Sequence, residues 1–105
     1  MVGSQPQGIA ITPDGTRAYV TSFGAGSVSV INTANNTVLT TITGVGTNLV
    51  GVAITADGTR AYVADRSSNN VRVIDTATNT LIGPAITVGT SPARVAATPL
   101  PYPAP

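Results

Sequence analysis

Gly8-Ile9-Ala10-Ile11-Thr12-Pro13-Asp14-Gly15-Thr16-Arg17-Ala18-Tyr19-Val20 returns 43 residues later as Gly51-Val52-Ala53-Ile54-Thr55-Ala56-Asp57-Gly58-Thr59-Arg60-Ala61-Tyr62-Val63. Each copy is an apolar run, an Asp-Gly break and a second apolar run, which is a hairpin written twice. In the first copy Pro13 presets φ, Asp14 bonds its own turn and Gly15 takes the φ > 0 position. Working outward, strand A spans about 8–12 and strand B about 17–22. Phe23-Gly24-Ala25-Gly26 reverses the chain into strand C at 27–32. Thr33-Ala34-Asn35-Asn36 reverses it again into strand D at about 37–43. The second copy repeats this, with A at 50–55, B at 59–65, C at 70–75 and D at 80–87. No helical period occurs. About half of the aligned positions are identical, and four short strands per period of 40–45 residues is the pattern of a propeller blade. The expected fold is all-β: a β-propeller unit of two four-stranded blades, blade one at about 8–43 and blade two at about 50–87.

The flanks fit the same period. Val2-Gly3-Ser4-Gln5-Pro6-Gln7 aligns with Val45-Gly46-Thr47-Asn48-Leu49-Val50 and with Val88-Gly89-Thr90-Ser91-Pro92-Ala93, so each is a lead-in to a strand A. An extra A strand is expected at about 93–98, where Arg94 replaces Gly8 and Gly51. The propeller unit then covers 1–99. Residues 100–105 form a tail with Pro at alternate positions, which cannot join a sheet interior and is expected to close the chain. Gly83-Pro84 marks strand D of blade two as an outer strand, because Pro cannot donate to a ladder.

Residues 8–21, followed by Ser27-Val28-Ser29-Val30-Ile31-Asn32-Thr33, resemble the YVTN family of β-propeller repeats. The second copy, with Tyr62-Val63-Ala64-Asp65 and Val71-Arg72-Val73-Ile74-Asp75, is similar to the related NHL-type blade. The resemblance covers about 2–99. It implies a closed ring of six to eight blades, in a setting of surface-layer and other extracytoplasmic proteins. Related propellers also include lactonase-like and haem d1 enzymes. This chain departs from those families in holding two blades and one strand.

Composition narrows the chemistry. The chain is 42% hydrophobic and 9% charged, with a net charge of +1. Its five arginines are dispersed and aromatics are few, which argues against nucleic acid. No apolar run reaches the ~20 residues of a membrane span. Met1-Val2-Gly3-Ser4 lacks the features of a signal peptide. With no His, Lys, Cys or Glu, a nucleophile would have only four Asp residues to serve as base, all in or beside turns. The usual haem ligands are lacking too, apart from a terminal Met and Tyr residues that read as structural. Asp65-Arg66-Ser67-Ser68-Asn69-Asn70 is rich in oxygen, but it lacks the ligand spacing of a calcium loop and reads as a turn. Asp14 and Asp57 read as turn residues, with Arg17 and Arg60 solvated or paired to them. No enzyme activity, cofactor or metal is expected.

Blades in a ring pack both faces, so in/out alternation blurs. Ile9-Ala10-Ile11, Ala18-Tyr19-Val20, Val30-Ile31 and Val73-Ile74 show this. Two blades alone would leave two outward faces bare, exposing on the order of ten apolar side chains that are each worth ~1.5–3 kcal/mol when buried. Head-to-tail association of copies covers them; the less favoured alternative is that the chain is a fragment of a larger propeller enzyme, whose other blades would cover them. A homotrimer would give six blades and a homotetramer eight, and the trimer is favoured by analogy of fold. The expected role is a non-catalytic scaffold subunit, structural or adhesive, extracellular or on the cell surface. The competing reading is a multivalent, lectin-like module for carbohydrate or protein. Its contacts would come from the channel-mouth loops and the extra strand: Gln5, Gln7, Phe23, Asn48, Val50, Arg66, Asn69 and Arg94.

Overall fold

Runs of Val, Ile, Thr and Tyr suit a pleated surface, and they become eight strands in the computed structural model, which describes residues 5–87. Blade one holds β1 (Pro6–Ile11), β2 (Arg17–Ser22), β3 (Ser27–Asn32) and β4 (Thr37–Ile42). Blade two holds β5 (Leu49–Ile54), β6 (Arg60–Asp65), β7 (Asn70–Asp75) and β8 (Thr80–Thr87). Each set forms one antiparallel sheet in sequence order, β1-β2-β3-β4 and β5-β6-β7-β8. Among the described residues no helix is long and apolar enough to cross a membrane.

Turn chemistry sets the strand ends. Gly15 and Gly58 sit at φ 75° and 76°, and their N–H groups donate to Thr12 and Thr55 carbonyls at 2.8 Å. Asn36 and Asn79 both take φ 57°, a conformation Asn tolerates better than most residues. Asp14 Oδ1 accepts the Thr16 N–H at 3.0 Å and the hydroxyls of Thr12 and Thr16 at 2.7 and 2.8 Å. Asp57 repeats all three bonds with Thr55 and Thr59. These carboxylates are therefore turn residues, with threonines rather than arginines as their hydrogen-bond partners.

Two positions differ from the sequence reading. Gln7, expected in the lead-in loop, lies inside β1, and Val50, counted both among the mouth residues and as the first residue of strand A, lies inside β5, which begins one residue earlier at Leu49. The reason is a bulge: register slips between Pro6 and Ile9, and between Leu49 and Val52, so each ladder runs on past the irregularity. The extra strand at 93–98, with Arg94, and the tail at 100–105 lie outside the described residues. β8 is an outer strand as expected. Gly83 at φ 64° and Pro84 lie within the register shift between the Val71 and Val73 pairings.

The blades stack face to face. Tyr19, Thr21, Val28, Val30 and Ile42 of blade one meet Val52, Ala61, Val63 and Ile74 of blade two in a buried layer that includes Val45 and Leu49. Tyr19 crosses that layer and donates its hydroxyl to Asn79 Oδ1 at 2.6 Å. Thr21 bridges the inner strands, accepting the Gly8 N–H at 2.9 Å and donating to the Val50 carbonyl at 3.3 Å.

Gly8 allows this approach. A Cβ there would stand 2.7 Å from the Val50 carbonyl oxygen and 3.3 Å from the Gly51 Cα, both main chain. Gly8→Ala should therefore push β1 from β5 and cost about 1–3 kcal/mol by overpacking. A urea titration followed by far-ultraviolet circular dichroism reads that loss directly.

Candidate functional site

The end of the blades that carries the lead-in and β2–β3 or β6–β7 loops is organised by one contact made twice. Phe23 N–H donates to the Gln5 carbonyl at 2.9 Å, and Arg66 N–H donates to the Asn48 carbonyl at 3.0 Å. The repeat pattern predicts these loop pairs at a common mouth, and the structure brings each pair together. Gln5 takes φ 55° to do so. The Asn48 side-chain amide is spent within the chain, donating to Ser67 Oγ. Asn69 is a turn residue at φ 54°, and Arg66 is exposed. Gln7 is exposed on β1, while Val50 lies at the joint of the inner strands and contributes its carbonyl there.

Asp65 organises this end, a role larger than the start of a polar turn that the sequence suggests. Its carboxylate is buried, with 1% exposure. Oδ2 accepts the Thr47 N–H at 2.9 Å, and Oδ1 accepts the N–H groups of Asn48 at 3.2 Å and Ser68 at 3.4 Å. Gly46 leaves room for it, since a Cβ at that position would collide with Oδ2. Burial pushes the carboxyl up, but the donors from Thr47, Asn48 and Ser68 together hold it below the ordinary 3.8. Arg72 adds a second clamp by donating from Nη1 to the Val45 carbonyl at 3.2 Å. Both charged groups thus fasten the segment between β4 and β5. The signal in the sequence is the repeat itself, because Asp65 and Arg72 stand where blade one has Ser22 and Ser29.

At the opposite end, a polar cleft of about 400 Å³ lies between the two Asp-Gly turns, lined by Thr12, Asp14, Thr16, Arg17, Asp57 and Thr76 among others. Thr12, Thr16, Thr55 and Thr59 hold the Asp14 and Asp57 carboxyls down to about 2. One oxygen of each carboxylate already takes three bonds from its own turn. Among the described residues no group of three or more metal-ligating side chains gathers.

No family model matches the chain, and neither does any curated protein. Solved structures do match, and they are β-propeller proteins. Hydrazine synthase of Kuenenia stuttgartiensis superposes with a TM-score of 0.82 at 26% identity, over 87% of this chain and 25% of that one. AztD of Citrobacter koseri gives 0.78 at 17%, over 91% and 27%. The WD40 repeats of RRP9 give 0.72 at 15%, over 83% and 27%. The likeness is one of fold. This chain spans about a quarter of the length of each, and it is a partial set of propeller blades.

Asp65→Ala should leave the part-buried Thr47 and Asn48 N–H groups without their acceptor, costing about 1–3 kcal/mol, and Asp65→Asn less because one acceptor oxygen remains. Amide exchange at Thr47 and Asn48 should quicken in both. Asp14, Asp57 and Asp65 all have folded values below 3.8, so the stability they add is complete above that value and is lost as pH falls. For Asp14 and Asp57 the loss should fall between about 4 and about 2. Thermal melting across that window should show a steady fall, shallower in the variant Asp14→Asn/Asp57→Asn.

Proposed function

We propose that the chain is a non-catalytic scaffold subunit whose two blades are completed into a closed propeller by further copies bound head to tail. The observation that carries this reading is an inequality between equivalent residues. Ile9 on the outward face of blade one is 64% exposed, whereas Val52, its counterpart in blade two, is 8% exposed against blade one. On the inner strand of blade one, Ile9 and Ile11 are bare, while Val20 and Ser29 on the same face are buried. Among the described residues the strongly exposed large apolar side chains are Ile9, Ile11, Leu39 and Ile86. They sit on the inner strand β1 and the outer strands β4 and β8.

The repeat type we assign is that of the YVTN family, on the two motif copies. Scarce charge and abundant Thr, Ser and Asn favour an extracellular or cell-surface setting. A scaffold is preferred to a multivalent carbohydrate or protein module because the Asn48 amide and the carbonyls of Gln5 and Asn48 are consumed within the chain. Three copies, giving six blades, are the favoured ring, with four giving eight as the alternative.

Multi-angle light scattering on the full chain at micromolar concentration should return a discrete multiple of 10.5 kDa, three being the favoured number. A single-chain mass that melts cooperatively would overturn the reading. A glycan array and a peptide screen on the assembled ring should both be silent.

A further inference from the structure

We infer that Asn35 is an acceptor for an asparagine-linked glycan, taking the sugar on its side-chain nitrogen at the tip of the β3–β4 turn. The inference rests on the extracellular setting proposed above, since such acceptors lie on the surface loops of secreted chains.

The sequence holds one such site. Asn35-Asn36-Thr37 is Asn, a residue other than Pro, then Thr, and no other asparagine of the chain begins that pattern. The repeat alone does not produce it. Asn79 and Thr80 in blade two match Asn36 and Thr37, but Thr78 stands where blade one has Asn35.

The turn presents the site. Asn35, Asn36 and Thr37 are all exposed. Asn36 takes φ 57° and donates its N–H to the Asn32 carbonyl at 2.7 Å, and the Ala34 N–H donates to Asn32 Oδ1 at 2.9 Å. Asn35 Oδ1 accepts the Thr37 hydroxyl at 2.7 Å and the Thr37 N–H at 3.3 Å. The third residue of the pattern thus holds the first by its oxygen. The amide nitrogen of Asn35 donates to nothing among the described residues.

Blade two uses its equivalent turn differently. The hydroxyls of Thr78 and Thr80 bond each other at 2.7 Å, and Asn79 Oδ1 is taken by Tyr19 at 2.6 Å. That asparagine belongs to the contact between the blades, whereas the side-chain bonds of Asn35 stay within its own turn. The β3–β4 turn lies at the Asp-Gly end of blade one, where the Thr33 N–H donates to the Thr16 carbonyl at 3.1 Å. A bulky sugar at Asn35 therefore stands clear of the strap between β4 and β5 and of the buried layer between the blades.

The transfer is a substitution at the sugar. The Asn35 side-chain nitrogen forms a bond to the anomeric carbon of a lipid diphosphate-linked oligosaccharide. The bond from that carbon to the diphosphate oxygen breaks, the diphosphate leaves with the electron pair, and the nitrogen gives up one proton. Nothing is oxidised or reduced. The cell supplies the sugar donor and the transferase, and the chain supplies the nitrogen and the hydroxyl beside it.

Two measurements test this. In the full chain isolated from the cells that make it, mass spectrometry of the peptide spanning Asn35 should find a glycan on that residue. Unmodified Asn35 in chain recovered from the cell surface or medium would overturn the acceptor site and leave the setting standing. Chain recovered only from the cytoplasm would overturn the setting beneath it. For the variants, the full chain is translated behind a cleavable secretory signal in the presence of microsomes. Wild type should gain one glycan, removable by peptide N-glycosidase, Asn35→Gln and Thr37→Ala none, and Thr37→Ser a reduced yield. All three changes lie in an exposed turn, and circular dichroism should show unchanged strand content. Wild type that is shielded from added protease inside the microsomes yet carries no glycan would overturn the inference, as would a glycan retained by Asn35→Gln.

Discussion

A tyrosine buried between two sheets is the constraint from which the rest follows. Tyr19 fills the layer between the blades with its ring and can do so only because its hydroxyl finds Asn79 on the far side. That requires the β7–β8 turn to carry an Asn in the left-handed conformation, which fixes where strand C of blade two ends. It requires the inner strands to come close enough for Thr21 to bridge them, which in turn requires Gly8. Packing, turn and glycine are thus parts of one arrangement, written into the sequence at a fixed spacing.

Polarity is distributed unevenly along that arrangement. At one end, the Asp-Gly turns satisfy their carboxylates locally and change little from blade to blade. At the other, blade two alone carries Asp65 and Arg72, and both are directed at the strap that joins the blades. The covalent connection between β4 and β5 is thereby also a hydrogen-bonded one. This explains why Gly46, inside the strap, has no space for a side chain.

The strands and their order are legible because the repeat says everything twice: an apolar pair of runs about an Asp-Gly turn admits one hairpin register, and the second copy reproduces it. The pairing of Gln5 with Phe23 and of Asn48 with Arg66 is legible in outline, since lead-in loops and B–C turns lie at one end of any such blade. The strand position of Gln7 is not legible, because a bulge has no signature in these residues and β1 starts earlier than the repeat alone implies. Asp65 is hidden for a different reason. A carboxylate at the end of a strand reads as solvated until the backbone that folds over it is known, and the Thr47 and Asn48 N–H groups belong to a loop 18 and 17 residues earlier.

The irregularity in β8 acts on a direction of growth separate from the one through the faces. A sheet whose last strand were regular would offer a free row of N–H and C=O groups, and copies could add to it side by side into an unlimited ribbon. Gly83 turns the backbone out of the extended range, and Pro84 withholds a donor on that rim. Lateral accretion into fibres is thereby discouraged, and cohesion is left to surfaces that can close on themselves.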